Sequence, residues 1–189
     1  MRYSEDRKAQ THQRIIEEAA RLFRRDGVGA TGLQPLMKTL GLTHGGFYAH
    51  FKSKDELVET ALRHSAEKLT AVTAAMTDNE KPLASLIHGY LSSAHRANPG
   101  EGCPLPTMSA ELGQRGAPSP VTDELVRDRL RTIEAGLGGE HADEQSVLIL
   151  SAMVGALLLS RSVSDPELSE RLLKTTRRLL IEQNTDEKA

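Results

Sequence analysis

Along this chain of 189 residues the apolar side chains recur at three- and four-residue intervals, and nowhere do they alternate with polar ones over a strand's length. That spacing builds one-sided helices and leaves no material for a sheet. Within residues 4–25, Ile15, Ile16, Ala19, Ala20, Leu22 and Phe23 share a face, and Gly27 and Gly29 end the helix. A short helix over 32–39 follows, with Leu33, Leu36, Met37 and Leu40 inward and Thr31 placed to cap it. Gly41 breaks it. Thr43 opens a third helix, short as well, that ends near His50. Ser53 and Glu56 form a capping box at the start of a long helix whose buried stripe is Leu57, Ala61, Leu62, Ala66, Leu69 and Val72.

Downstream, Pro82 restarts the chain and the pattern predicts a helix over 83–96 with Leu83, Ile87, Tyr90, Leu91 and Ala94 on one face. Pro99, Gly100, Gly102, Pro104 and Pro106 make a loop, followed by a short helix over 106–112 and a second Gly/Pro loop through Pro120. A helix over 122–137 stops at Gly138-Gly139. The segment 143–161 is apolar on nearly every side, as a helix that is buried or shared with a partner must be. Asp165-Pro166 caps and opens a last helix to about residue 183, beyond which a charged tail is expected to fray. The expected fold is all-α with about nine helices, an N-terminal three-helix head and a C-terminal helical domain.

Charge divides the chain in the same place. Residues 1–54 hold 10 lysines and arginines against 5 acidic residues, and the remaining 135 hold 14 against 21. A basic head on an acidic body suits a DNA-facing domain, residues 1–54, attached to a partner- or ligand-facing domain, residues 55–189. The single cysteine, Cys103, excludes an intrachain disulfide and suits a reducing cytoplasm. The polar N-terminus carries no signal-peptide apolar region, and the longest apolar run, residues 147–159, is too short to span a bilayer. No nucleotide-binding glycine loop, paired catalytic carboxylates or nucleophile motif is present, so neither an enzyme nor a cofactor is expected.

Two short helices joined at Gly41 form a helix-turn-helix, in which the second helix enters the major groove. Such a helix needs small residues where it presses on DNA, donors at its start and an apolar anchor behind. Thr43 and the helix N-terminus suit a phosphate. Gly45 and Gly46 let the backbone approach the bases, while Phe47 and Phe51 face the core. Tyr48, His50, Lys52 and Lys54 offer donors to the phosphate backbone. Tyr48 also admits a purely core role, and His50 the role of a cap on its own helix.

The stretch from Leu36 to Leu57 resembles the DNA-binding signature of TetR-family regulators. Its marks are the small pair Gly45-Gly46 before Phe47-Tyr48, then His50-Phe51, Lys54 three positions on, and the acidic helix start Asp55-Glu56. The resemblance covers about a quarter of the chain, with Met37 standing where the family commonly has Ala and Pro35 just inside the bracing helix. It implies base- and phosphate-contacting roles for Thr43, His44, Gly45, Tyr48, His50 and Lys54, with Thr31 and Gln34 near phosphates. It also implies an all-α homodimer with a C-terminal ligand-binding and dimerisation domain, and a repressor that leaves a palindromic operator when a small molecule binds. A helical dimeric scaffold without specific operator binding is the alternative.

The last two helices carry more apolar surface than one small domain can bury: Val147, Leu148, Leu150, Ala152, Val154, Leu157, Leu158, Leu172, Leu173 and Leu179. They are the expected homodimer seam. His64, His88, Tyr90, His95, Met108 and Met153 are candidates for lining an effector pocket. His88 and His95, seven apart, are poorly spaced for one metal, and no metal site is expected. Cys103 precedes a helix start, which favours thiolate, so it is either a sensing thiol or a small buried hydrophobe.

Overall fold

The computed structural model describes residues 2–185, and among them every regular element is helical. The helices are α1 (Arg2–Asp26), α2 (Leu33–Thr39), α3 (Lys54–Thr77), α4 (Pro82–Tyr90), α5 (Ser93–Ala97), α6 (Ala110–Gln114), α7 (Pro120–Leu137), α8 (Ala142–Ser162) and α9 (Pro166–Thr185). A 3-10 helix, His44–Ala49, lies between α2 and α3 and is here called the recognition segment. The expected tail lies, from residue 186 on, outside the described residues.

The chain forms two compact units. The first contains the chain through Lys68 together with Gly100–Val121, and the second contains Leu69–Pro99 and the chain from Thr122 on. Residues 55–68 and 100–121 thus pack with the basic head. Its core joins Ile15, Ala19 and Phe23 of α1, Leu36 and Met37 of α2, Phe47, Leu57 and Leu62, and also Met108 and Leu112 from the distant segment. Arg24 secures that segment from within. Its guanidinium is buried, donates to the Gly100 carbonyl at 2.8 Å through Nε, and reaches the Ser65 hydroxyl. Burial works against its charge and pulls its pKa down.

Several expectations at element ends hold and several do not. Ser53 Oγ accepts from the Glu56 amide at 3.1 Å, as a capping box requires, while the Glu56 carboxylate returns to the Lys52 amide at 2.6 Å. Asp165 accepts from the Glu167 amide at 2.8 Å ahead of Pro166. Thr31 does not cap α2. Its hydroxyl is buried and donates to the Gly27 carbonyl at 2.7 Å, closing the end of α1, and the residue at the start of α2 is Gly32. The single helix expected over 83–96 is two helices. Leu91 leaves helical geometry, and Ser92 caps α5 by accepting from the His95 amide at 3.1 Å. Val72, assigned to a buried stripe, is exposed, and the inward position beside it belongs to Thr73, which accepts from the buried Arg129 at 2.5 Å.

In the second unit α8 and α9 pack along one another, with α4 against both. Ser146, Ile149, Leu150, Met153, Ala156 and Leu157 give α8 its inner face. The helix is longer than the 147–159 apolar run suggested, and by length and apolarity alone it suffices to cross a bilayer. Its outer face carries Val147, Leu148, Leu158 and Leu159 exposed, with Leu179 exposed on α9. Of the expected seam residues, Leu150, Leu157 and Leu173 are spent on the chain's own interior.

Candidate nucleic-acid interface

The turn between α2 and the recognition segment is a Schellman motif. The Leu42 amide donates to the Met37 carbonyl at 2.9 Å and the Gly41 amide to the Lys38 carbonyl at 3.0 Å. Gly41 sits at φ +72°, a conformation other residues adopt at a cost. The motif's usual apolar contact is supplied by Met37, fully buried, and Leu42, packed on the same core. Met37, where the family commonly has Ala, therefore helps to lock the turn. From α1, Arg14 donates to the Leu40 carbonyl at 3.3 Å, a brace that nothing in the periodicity indicated.

The recognition segment is 3-10 rather than α-helical. Two adjacent glycines in six residues are poor α-helix formers, and i→i+3 bonds close so short a piece. Thr43 caps it, its hydroxyl accepting from the Gly46 amide at 3.2 Å. Phe47 is fully buried and stacks on Phe51, with ring centroids 5.6 Å apart. Tyr48 points outward, 61% exposed, its ring edge-on to Phe47 and to His44. Of the two roles open to Tyr48, the core role is excluded.

Thr43, His44, Gly45, Tyr48, Lys52 and Gln34 are exposed, and Gly46 and His50 half-buried. Gly45 has an ordinary backbone conformation, and a Cβ built on it meets nothing within 4 Å. Nothing inside the chain requires glycine there; the vacancy matters only to an external surface. Gly46 is different, since its Cβ would come within 3.3 Å of the capping Thr43 hydroxyl.

His50 closes the segment, with its amide bonded to the Phe47 carbonyl and its ring Nδ1 buried without a partner. Its pKa is lowered, chiefly by burial, then by the charges of His12 and Lys8. His12 of α1 stacks on Phe51 at 4.5 Å and lies 5.9 Å from His50, so α1 contributes a second imidazole here that sequence reasoning did not pick out. Two candidates are not presented to solvent as expected. Thr31 is buried, and the half-buried Lys54 donates from Nζ to the Val28 carbonyl at 2.6 Å.

The effector candidates are divided between the two units. His64, Cys103 and Met108 belong to the first unit, and Met108 is part of its core. Tyr90, His95 and Met153 belong to the second, where His95 Nδ1 meets the Tyr90 carbonyl at 2.7 Å; His88 faces solvent. The break at Leu91 puts His88 and His95 on different helices. A groove of about 260 Å³ in the second unit is lined instead by Lys81, Leu83, Ile87, Gly136, Leu180 and Ile181 among others, none of them a candidate.

Residues 15–61 match the family described as bacterial regulatory proteins, tetR family, so the match covers α1 from Ile15 through the turn, the recognition segment and the start of α3. In this region the chain is similar to the TetR family of helix-turn-helix transcriptional regulators. It is 29% identical, over 89% of its length and 93% of the other's, to an uncharacterised HTH-type transcriptional regulator of Mycobacterium tuberculosis. It is 24% identical to the HTH-type transcriptional repressor DhaR of Mycobacterium sp., over 65% of this chain and 59% of that protein. Its fold is that of a TetR transcriptional regulator from Chloroflexus aurantiacus, at a TM-score of 0.77 and 22% identity, covering 93% of this chain and 96% of the other. Among the described residues the all-α reading of the sequence holds.

Proposed function

We propose that the chain is a repressor that binds a palindromic operator as a homodimer and leaves it when a small molecule binds. The observation that carries the DNA reading is the recognition segment. It offers Thr43, His44, the open Gly45 and Tyr48 outward on a fully buried Phe47 anchor. Lys52 and Gln34 flank it, exposed, and His50 borders it, as phosphate-contacting groups.

In this reading residues 1–54 read DNA and residues 55–189 carry dimerisation and effector binding, in the cytoplasm. A single short segment makes few base contacts, so two heads are needed, on half-sites roughly 34–36 Å apart or a related spacing. The exposed Val147, Leu148, Leu158 and Leu159 of α8 and Leu179 of α9 support the seam, because a monomer gains nothing by exposing them together. The resemblance to a named repressor supports repression over activation. At about 260 Å³ the groove beside Leu83 and Leu180 is below the usual range for a drug-sized ligand, so the effector of this reading is small or opens its own space.

Selection from a randomised duplex library tests the proposal. Enrichment of a palindrome, bound with an affinity that falls steeply with salt, is the expected result. Binding indifferent to sequence removes it and leaves the helical scaffold.

A further inference from the structure

The loop between α1 and α2 is held by a residue more than eighty positions away. The carboxylate of Glu111 on α6 accepts from the Val28 amide at 2.5 Å and from the Gly29 amide at 2.6 Å, one to each oxygen. Arg115, one turn on, pairs with the same carboxylate. On the other side of the loop Lys54 donates to the Val28 carbonyl. The charges of Arg115 and Glu111 both bear on Lys54, so the three groups form one cluster around two residues of backbone.

The loop is shaped to admit this carboxylate. Gly27 takes φ +93°, and a Cβ there would stand 3.0 Å from Glu111 Oε2. A Cβ on Gly29 would stand 2.7 Å from Glu111 Oε1 and 2.7 Å from the Arg115 guanidinium. Gly29 has no positive φ, so its missing side chain answers only to the space that Glu111 and Arg115 occupy.

We propose that Glu111 is a positioning residue for DNA reading: by holding the Val28 and Gly29 amides it fixes the loop from which α2, and with it the recognition segment, is hung. The proposal rests on the DNA-binding reading above. Charge-assisted bonds to backbone amides are short and directional, so two of them fix a short loop far better than apolar packing does. Loss of one acceptor leaves an amide unpaired and the loop free to sample other shapes. The chain enters and leaves the segment Gly100–Val121 from the second unit, at Pro99 and Thr122. The residue that shapes the DNA-reading loop thus lies within residues 55–189, the part of the chain assigned to dimerisation and effector binding.

Glu111→Gln keeps the shape and removes a negative charge, which separates positioning from plain electrostatics by sign. The experiment uses the full chain, the palindrome enriched by the wild type, and an unrelated duplex of equal length. Positioning predicts that affinity for the palindrome falls by about tenfold or more, while the unrelated duplex is bound equally well or better. A parallel rise on both duplexes means Glu111 acts only as a surface charge, and overturns the proposal. Unchanged or equally reduced binding to both overturns it as well.

Gly29→Ala supplies a second route, because its methyl group evicts the carboxylate without altering charge. The same selective loss is expected, and the double variant Gly29→Ala/Glu111→Gln loses no more than the worse single one. Additive losses would show two independent structural effects and defeat the proposal. If the wild type enriches no palindrome, the DNA reading itself falls first, which keeps the two failures distinct.

Discussion

The ammonium of Lys54 donates to the carbonyl oxygen of Val28 at 2.6 Å and so ties the first turn of α3 to the loop ahead of α2. Burial, then the charge of Arg115, lowers its pKa, so this lysine is already partly withdrawn from water. A cation spent on the protein's own backbone releases few counterions when DNA arrives. Lys54→Met is therefore expected to lower stability by about 1 kcal/mol and to leave the dependence of operator affinity on salt unchanged. Fluorescence anisotropy at several salt concentrations checks it. A slope shallower by about one ion would put the ammonium on a phosphate instead.

Gly45 gives the cleanest separation of folding from binding. Its Cβ position is empty and its backbone ordinary, so Gly45→Ala is expected to fold as well as the wild type, or to gain up to about 1 kcal/mol. In the proposed binding mode the added methyl group lies where the recognition segment meets the groove. Operator affinity should fall by about tenfold, with the thermal midpoint unmoved or raised. An unchanged affinity would place the DNA contact elsewhere on the head.

The fold was largely legible because helix periodicity, glycine stops and caps are local signals. Ile15 to Phe23, Gly41, the Ser53–Glu56 box and Asp165-Pro166 all act within a few residues of themselves. Long-range partners were not legible. Glu111 reads as half of a local i,i+4 pair with Arg115, which says nothing of its bond to Val28, and Arg24 reads as one more surface cation until Gly100 and Ser65 enclose it. The break at Leu91 was hidden because Leu91 and Ala94 continue the apolar spacing, although Ser92 was a cap in plain view. In the recognition segment the outward residues were readable from the glycine pair and aromatic spacing. Thr31 and Lys54 were not, since a tertiary bond inside the head claims each polar group.

Acid should weaken the fold in a direction fixed by two histidines. His95 is buried, which lowers its pKa; its bond to the Tyr90 carbonyl raises it, and Arg161 lowers it further. His50 is lowered by burial and by His12 and Lys8. A histidine lowered in the folded state takes up its proton first in the unfolded chain, so stability is lost as pH falls through and below about 6.5. Urea midpoints at about pH 7.5 and 5.5 should show this loss, and His95→Gln should flatten it. A midpoint that rises on acidification contradicts the assignment.

Cys103 is 2% exposed within the first unit, just ahead in the chain of the turn that leads into α6. Of its two readings, a sensing thiol requires reagent to reach sulfur, and a small buried hydrophobe does not. An aromatic disulfide reagent is expected to modify the native protein at least about a hundredfold more slowly than the protein in denaturant, limited by opening of the fold. Comparable rates would restore the sensing thiol, and loss of operator binding on modification would give it a role.

In the proposed function the outer face of α8 is the seam through which two heads act together. Leu148 is 63% and Leu158 44% exposed, whereas Leu157, their neighbour on the same helix, is fully buried. Charge placed at the first two positions is solvated in a monomer and ruinous in an apolar seam; charge at Leu157 is ruinous in both. Leu148→Glu/Leu158→Glu is therefore expected to sediment as a folded monomer with wild-type helix content, and Leu157→Glu to unfold. Once monomeric, each head binds its half-site alone and forfeits the effective concentration that tethering supplied, so affinity for the palindrome should drop by about a hundredfold or more. Affinity for an isolated half-site should stay constant, because the recognition segment is untouched. A double variant that remains dimeric would move the seam off this face, and one that is monomeric yet binds the palindrome as tightly as before would remove the need for two heads.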